Sequence, residues 1–477
     1  MQPACYIDGQ WVPAAQSFAV TNPANGDDVG RAADATSADV DAAITAAAQA
    51  FPGWAAIPAV DRSAALRRIS GELAAATDAI ADLIVAEQGK PRGQALFEVG
   101  YARQWLDWYA EEARRTYGEI VPSAFPSKRL LVQRKPLGVA VAITPWNFPV
   151  AMIARKLAPA LAAGCTLVIK PAEQTPLSPA ALIAAIDRAD LPPGVVNLVT
   201  AADPRSISDA LVRDPRVRKI TFTGSTEVGK ELVRASADNL ARVSLELGGQ
   251  APFVVFDDAD LEAAVAGVLA SKFQVSGQSC LCANRVFVQD AVADRFAQML
   301  SAAVAELEVG PGDTPSAAVG PLIDDNGFAK VQTHVDDAVA AGATIMTGGS
   351  RVEGEPFDGG YYFAPTVLRG CTDGMLVAKE ETFGPVAPLL TFGDEHEVVR
   401  RANASPFGLA AYVYTNDLGR AHRVAEALEF GIVGINDPTP ASPSAPFGGF
   451  KESGLGREGG HDGIEAFLET KLVSIVV

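Results

Sequence analysis

A cysteine set among small polar residues is the first group in this sequence equipped to do chemistry. Cys280 lies in Ser276-Gly-Gln-Ser-Cys280-Leu-Cys282, just ahead of an apolar stretch. A thiolate there is a nucleophile if a helix terminus or a neighbouring cation lowers its pKa. The competing reading is a buried, inert thiol, the ordinary state of a lone cysteine; Cys5, Cys165 and Cys371 fit that description. Glu246, in Leu-Glu246-Leu-Gly-Gly, ends an apolar run. A carboxylate in apolar company has a raised pKa and can serve as a general base near neutrality, or it can simply face solvent. Glu381 and Phe383 precede a Gly-Pro turn, which taken alone is only a turn.

A second set of residues suits a dinucleotide. Trp146 and Asn147, Lys170 and Glu173, and Gly224 and Ser225 each follow an apolar run that reads as a strand. Ligands of doubly wound sheets bind beyond such carboxyl ends. The glycines of FTGSTEVG would let a helix N-terminus approach a pyrophosphate, although the spacing is not GxGxxG and many helix entries look similar. Glu173 could accept hydrogen bonds from ribose hydroxyls and would repel a 2′-phosphate; a surface carboxylate at a helix entry is the plainer alternative.

These residues need a frame. The alanine-rich first hundred residues carry helical spacing over Ala42–Phe51, Arg62–Ala75 and Ala79–Gln88, and Val99–Tyr117 reads as a fourth helix. Arg129–Gln133 reads as a strand after the breaks at Pro122 and Pro126. From Val139 strands and helices alternate. Strands are expected at Val139–Thr144, Thr166–Lys170, Val195–Val199, Lys219–Thr223 and Val243–Glu246, with helices over about Val150–Ala163, Pro179–Ala189 and Val228–Ala237. Fully apolar strands alternating with helices imply a parallel sheet covered on both faces. A second α/β pattern follows Gly248 and Gly249: strands Phe253–Phe256 and Arg285–Val288, a helix capped within Asp258–Asp260 and running to Phe273, and a helix over Val292–Leu307. The apolar Leu472–Val477 has no following partner and must pair within the chain or across a subunit boundary.

Bulk properties narrow the field. At 477 residues, two or three domains are expected. A formal charge of −18 disfavours nucleic acid and anionic membrane surfaces as partners. No run reaches bilayer-spanning length, and MQPACYIDGQW lacks the features of a signal peptide. Five scattered cysteines do not suggest a disulfide framework and point to a reducing, cytoplasmic setting. With four histidines and no CxxC or HExxH, a metal site is not expected.

The order of the motifs says more than any one of them. PWNFP (145–149), KPAEQTP (170–176), FTGSTEVG (222–229), LELGG (245–249), GQSC (277–280), EETFGP (380–385) and PFGGFKESGLGRE (446–458) together resemble the aldehyde dehydrogenase superfamily. RKLAPALAAGC (155–165), SLELGGQAPFVVFDDADL (244–261) and CLCANR (280–285) look most like its succinate-semialdehyde dehydrogenases. The resemblance implies a Rossmann-type NAD-binding domain (1–118 with 142–247), an α/β catalytic domain (248–445) and a small β oligomerisation arm (119–141 with 462–477). It implies a homodimer or homotetramer, with the terminal strand in that arm.

It also implies roles. Cys280 would attack a small-molecule aldehyde, the Asn147 amide and the Cys280 N–H would hold the oxyanion, and Glu246 would activate the water that hydrolyses the thioester. Lys170 and Glu173 would hold the adenosine ribose, and Gly224 and Ser225 the pyrophosphate. Glu381 would bind the nicotinamide ribose, with Trp146, Leu247 and Phe383 also lining the cofactor site. Glutamate at 173 implies NAD, with NADP less favoured. The semialdehyde pattern holds the substrate carboxylate with two arginines and a serine. The first matches Arg155; the second position is Gln274, and the serine position falls on Ala441, beside Ser442 and Ser444. A neutral amide in place of a guanidinium weakens carboxylate recognition. Succinate semialdehyde, a longer acid-bearing aldehyde, and an uncharged or aromatic aldehyde all fit such a pocket. In relatives with the CxC pair, a disulfide switches activity off, which makes Cys282 a redox-switch candidate or a spectator. Among competing classes, a CoA-acylating enzyme would lack Glu246, and a silent binding protein would have lost Cys280, Glu246 or Asn147. A generic dinucleotide module leaves the cysteine segment without a purpose.

Overall fold

The computed structural model describes residues 3–477. Its frame is two α/β sheets set so that the carboxyl edge of one meets the amino edge of the other. Arg242–Glu246 ends the first sheet's parallel run, and Ala251–Val255 begins the second after only the turn through Gly248 and Gly249. Gly249 is required there: a Cβ would lie 2.5 Å from the Cys280 carbonyl oxygen.

In the first sheet the parallel strands lie side by side in the order Val196–Leu198, Thr166–Lys170, Val139–Ile143, Val217–Thr223 and Arg242–Glu246. Chain order is therefore third, second, first, fourth, fifth. The direction of winding reverses between Val139–Ile143 and Val217–Thr223, which opens a crevice beyond their carboxyl ends. All five expected strands are present. The expectations omitted the edges: the hairpin of Ala4–Ile7 and Gln10–Pro13 on one side, and Gly454–Leu455, antiparallel to Leu245 and Glu246, on the other. These short edge strands carry too few residues for a period-2 pattern to register.

The second sheet has seven strands in the order Thr344–Thr347, Thr366–Arg369, Val386–Phe392, Ala283–Gln289, Ala251–Val255, Ala410–Tyr414 and Ile432–Ile435, parallel except for the first pair. Two of these strands were legible in the sequence. Asp260 caps the helix Leu261–Lys272, accepting from the N–H groups of Glu262 and Ala263, which agrees with the expected cap.

Four helices precede the parallel strands of the first sheet: Ser37–Ala56, Ala59–Ala75, Thr77–Gln88 and Arg92–Glu112. All four were anticipated with shifted ends. The first starts earlier because Thr36 and Asp39 form a reciprocal capping box. The fourth starts at Arg92 because Gly89, at φ +85°, terminates its predecessor and Pro91 opens the next. It stops at Glu112 in a tight turn, Ala113–Arg115, short of the expected Tyr117. This layer packs on the helix Ala151–Ala163, every residue of which is buried.

The terminal strand finds its partner inside the chain. Leu468–Val476 pairs antiparallel with Lys128–Pro136 along its whole length, and Glu119–Val121 completes a three-stranded sheet. Ile120, Leu472 and Val476 are exposed on it. Among the described residues, no helix is long and apolar enough to cross a membrane.

Candidate active site

Two cavities meet at Cys280. One, of about 490 Å³, lies at the reversal of the first sheet and is lined by Trp146, Asn147, Thr223, Gly224, Ser225, Leu247, Cys280, Glu381 and Phe383, among others. The other, of about 150 Å³, opens on the opposite side of Asn147 and Cys280. Its walls include Tyr101, Phe148, Met152, Arg155, Gln274 and Phe447. Most of the residues singled out by type and spacing line one or the other cavity; Glu246, Lys170, Glu173 and Ser442 do not.

The loop that carries Cys280 is under backbone constraint. Val275 and Ser276 adopt φ of 50° and 56°, a region that a β-branched residue seldom enters. Such a conformation persists only when its surroundings over-determine it. Here the Val275 N–H donates to Gln94 Oε1 at 2.8 Å, and Ser276 Oγ donates to the Gly320 carbonyl at 2.8 Å. Gln278 is held on both ends of its amide, with Nε2 donating to Pro321 O and Oε1 accepting from the Ile323 N–H. Gly277, at φ +74°, packs so closely that a Cβ would lie 2.1 Å from the Gly384 carbonyl oxygen. Nothing in residue type alone signals this bend.

Burial, then the charge of Glu381, pushes the Cys280 thiol up to about 12, with Arg155 pulling the other way. Asn147 is buried, and its Nδ2 donates to the Gln278 carbonyl at 2.9 Å. Cys282 lines the same small cavity, with its thiol directed at the Lys272 carbonyl 3.6 Å away.

Glu246 is buried and lines neither cavity. Burial first, then the nearby Glu458, push its carboxyl well above the usual range; Arg155, Lys156 and Arg457 partly offset them. Its Oε2 has no hydrogen-bond partner. Glu458, which the sequence shows only as the last residue of PFGGFKESGLGRE, anchors the cluster. It receives Lys156 Nζ at 2.5 Å, and Arg155 Nη2 lies 2.9 Å away. Burial works against the Glu458 carboxylate, but Lys156 and Arg155 outweigh it and hold its pKa down. Lys156 also donates to Thr223 Oγ1 at 2.7 Å.

Arg155 is sandwiched between the rings of Phe447 and Trp105, 3.9 and 4.9 Å from its guanidinium carbon. The Glu458 oxygen is out of line for a hydrogen bond, so Nε and Nη2 both lack an acceptor. A buried guanidinium on the wall of a cavity, with Nε lacking an acceptor and Nη2 in the ion pair with Glu458, can attract an anion. Gln274 lies exposed on that cavity's wall. Ser442 is not among its lining residues and instead bonds Ser444 at 2.8 Å; Thr439 and Ala441 form the wall there.

The larger cavity suits a dinucleotide on its own evidence. Ser225 caps the helix Thr226–Ser236, leaving an N-terminus at the crevice. Gly229 packs against Leu247, where a Cβ would fall 2.5 Å from the leucine side chain. Glu381 accepts a hydrogen bond from the Gly249 N–H, and burial raises its pKa to about 7. Such a recessed carboxylate has free acceptor capacity for sugar hydroxyls. Trp146 meets Phe383 edge-on at 5.5 Å. Lys170 and Glu173 pair at 3.4 Å outside this cavity, with Lys170 buried and Glu173 partly exposed.

The sequence and the fold both match known proteins. The family model described as "Aldehyde dehydrogenase family" matches residues 11–473. A glutarate-semialdehyde dehydrogenase of Pseudomonas putida is 50% identical over 474 residues, covering 99% of this chain and 97% of that protein. The NADP(+) succinate-semialdehyde dehydrogenase of Escherichia coli is 50% identical over 471 residues, covering 98% and 97%. The crystal structure of an E. coli NADP-dependent enzyme superposes with a TM-score of 0.97 at 48% identity, covering 100% of this chain and 98% of that one.

The enclosed thiol generates a prediction. With its pKa near 12, the thiolate fraction grows tenfold per pH unit across the neutral range. Alkylation of Cys280 in the ligand-free protein should therefore rise by about one logarithmic unit per pH unit between pH 7 and 9. Mass-spectrometric rates with iodoacetamide, with Cys280→Ala as the blank, measure it; a plateau below pH 8 would contradict the assignment.

Proposed function

The chain belongs to the aldehyde dehydrogenase family, and on that premise we propose that it oxidises a small semialdehyde, an aldehyde carrying a distal carboxylate, to the diacid. The observation that carries this reading is the convergence on one small cavity of Cys280, Asn147 and a buried Arg155 guanidinium whose Nε lacks an acceptor. An anion bridging Arg155 would complete its hydrogen bonds, while Tyr101, Phe148 and Phe447 would cover the methylene chain. A cavity of about 150 Å³ holds a molecule of roughly benzene size, which suits a four- or five-carbon chain. Arg155 alone supplies the charge in this reading, because Gln274 replaces the second guanidinium of the semialdehyde pattern.

Cys280 Sγ would add to the aldehyde carbon as its thiol proton passes to solvent water, and the alkoxide oxygen that develops would be met by Asn147 Nδ2 and the Cys280 N–H. NAD(P), when bound, supplies the acceptor for the hydride that leaves that carbon, so that a thioester remains on Cys280. Glu246, with its raised pKa, would then take a proton from water as that water attacks the thioester, freeing the acid and the thiol. For this it must approach the small cavity from the buried cluster. Gly224, Ser225 and Leu247 would line the pyrophosphate and ring approach, Glu381 the nicotinamide ribose with Trp146 and Phe383 alongside, and Lys170 with Glu173 the adenosine ribose. We further assign the acceptor as NAD, because a carboxylate at 173 would repel a 2′-phosphate; the E. coli relative bears the name of an NADP(+) enzyme. The three-stranded sheet of Lys128–Pro136 and Leu468–Val476 would be the contact surface of a homodimer or homotetramer, its exposed apolar residues covered by the second subunit.

Three outcomes test this. Glu246→Gln should give an NADH burst approaching one per site with steady turnover reduced about 100-fold or more, as loss of a general base does; a normal steady rate would refute the deacylation role. Arg155→Met should lower kcat/KM for succinate and glutarate semialdehydes by about tenfold to 100-fold, the value of a charge-assisted pair, while an uncharged aldehyde of equal length loses little. Equal losses on both would sink the carboxylate assignment. Glu173→Ser should raise kcat/KM with NADP relative to NAD by about tenfold, through relief of like-charge repulsion; an unchanged ratio would remove Glu173 from cofactor selection.

A further inference from the structure

A buried ion pair that the reaction does not use stands directly behind the oxyanion-binding loop. Lys90 and Glu98 are both fully buried, with Lys90 Nζ 2.6 Å from Glu98 Oε2. Two such charges far from water are costly to desolvate and persist only with further partners. Those partners lie at the two ends of one turn. Lys90 Nζ donates to the Asn147 carbonyl at 2.6 Å, over the Phe148 ring. Glu98 Oε1 accepts from the Val150 and Ala151 N–H groups at 2.8 and 3.2 Å, where a helix begins and a negative charge is favoured. The turn Asn147–Val150 is thus gripped on both sides by one ion pair.

The same lysine reaches the nucleophile's side of the site. Gly89 and Lys90 form a turn pressed against Gly320 and Pro321: a Cβ on Gly320 would lie 2.3 Å from the Gly89 carbonyl oxygen, and one on Gly89 would lie 2.6 Å from the Pro321 ring. Gly320 and Pro321 are the residues whose carbonyls hold Ser276 and Gln278. Asn147 Nδ2 in turn donates to Gln278 O. A closed circuit of contacts therefore runs from Lys90 through Asn147, Gln278 and Pro321 back to Gly89.

We propose that Lys90 and Glu98 are positioning residues that set the spacing between the Asn147 amide and the Cys280 N–H, the two donors that meet the developing oxyanion. The proposal rests on the reading of Asn147 given above. Neither residue touches substrate; each acts through the backbone of the turn it grips. Donors aimed at developing charge are sensitive to small displacements, since a misplacement of about 1 Å can lower a rate about 100-fold. Alkylation of Cys280 by iodoacetamide, a displacement at a saturated carbon, develops no oxyanion and is insensitive to that spacing.

The test is a double-mutant cycle between Lys90 and Asn147, read by the single-turnover rate of NADH formation with saturating dinucleotide. Asn147→Ala should slow this rate about 100-fold to 1000-fold, as removal of an oxyanion donor does. Lys90→Met should slow it about tenfold to 100-fold, with dinucleotide affinity and the rate of Cys280 alkylation unchanged. In the Asn147→Ala background, Lys90→Met should add less than about threefold, because the group through which it acts is gone. Should Lys90→Met fail to fold with Glu98 unpaired, the double variant Lys90→Met/Glu98→Gln removes both charges and carries the same expectations. Full multiplication of the two effects, a matching loss in alkylation, or a wild-type rate in the double variant would each overturn the proposal. A wild-type rate in Asn147→Ala alone would instead remove the oxyanion role of Asn147, and with it the basis for this inference.

Discussion

The charged cluster around Glu246 depends on one buried carboxylate, Glu458. It stands between Arg155 and Lys156, which occupy adjacent positions on a helix that is buried on every side. Without a counter-charge, two neighbouring cations could not be kept there, since breaking a buried pair costs about 3–5 kcal/mol. With it, the cluster performs two tasks at once. Glu458 repels Glu246 and so keeps that carboxyl protonated more readily, while it draws Arg155 into a fixed pose without meeting its hydrogen-bonding needs. A single negative charge thus raises the pKa of one carboxyl and orients a cation on the wall of the small cavity. Its own place is secured by backbone pairing, Phe447 N–H to Glu458 O and Glu458 N–H to Phe447 O, and Phe447 also covers the guanidinium.

The cluster is useful because two sheets meet above it. Strand ends of the first sheet deliver Asn147, Gly224 and Glu246, and the entry to a strand of the second delivers Cys280. The closeness of that meeting is set by glycines at 249 and 277, where any side chain would strike a carbonyl of the facing segment. Left-handed residues on either side of the thiol pocket, Val275, Ser276 and Phe383, show where the chain is bent to complete it. The strain is held by packing and by the amide of Gln278, which bonds three backbone groups.

The legible parts of the sequence were those with local causes. Apolar runs announced the five parallel strands of the first sheet, and alanine-rich periodicity announced the four leading helices, because each pattern spans one element and needs no distant partner. Asp260 could be read as a cap from its position alone. Other features depend on residues far apart in the chain. Glu458 lies 302 positions from Lys156, and Lys90 lies 57 from Asn147, so no window of sequence displays either relation. Helix ends moved for reasons of backbone chemistry: Gly89 and Pro91 divide what periodicity alone treats as uncertain ground. Ser442, attractive by type and proximity, turns toward Ser444, and the wall is made by Thr439 instead. Side-chain direction in a proline-rich loop has no periodic signature to read.

The long pairing of Lys128–Pro136 with Leu468–Val476 has a consequence for biosynthesis. A ribosome must translate more than three hundred residues between the two strands, and during that interval the earlier strand has only Glu119–Val121 for a neighbour. The stretch that closes the sheet also follows directly on Glu458, so the counter-charge for Arg155 and Lys156 emerges in the same late interval. Until then the helix that carries both cations has no means to bury them. Pairings of such sequence separation form slowly and leave apolar edges open meanwhile. A nascent chain halted short of residue 458 therefore carries Arg155 and Lys156 without the carboxylate that pairs them in the finished fold.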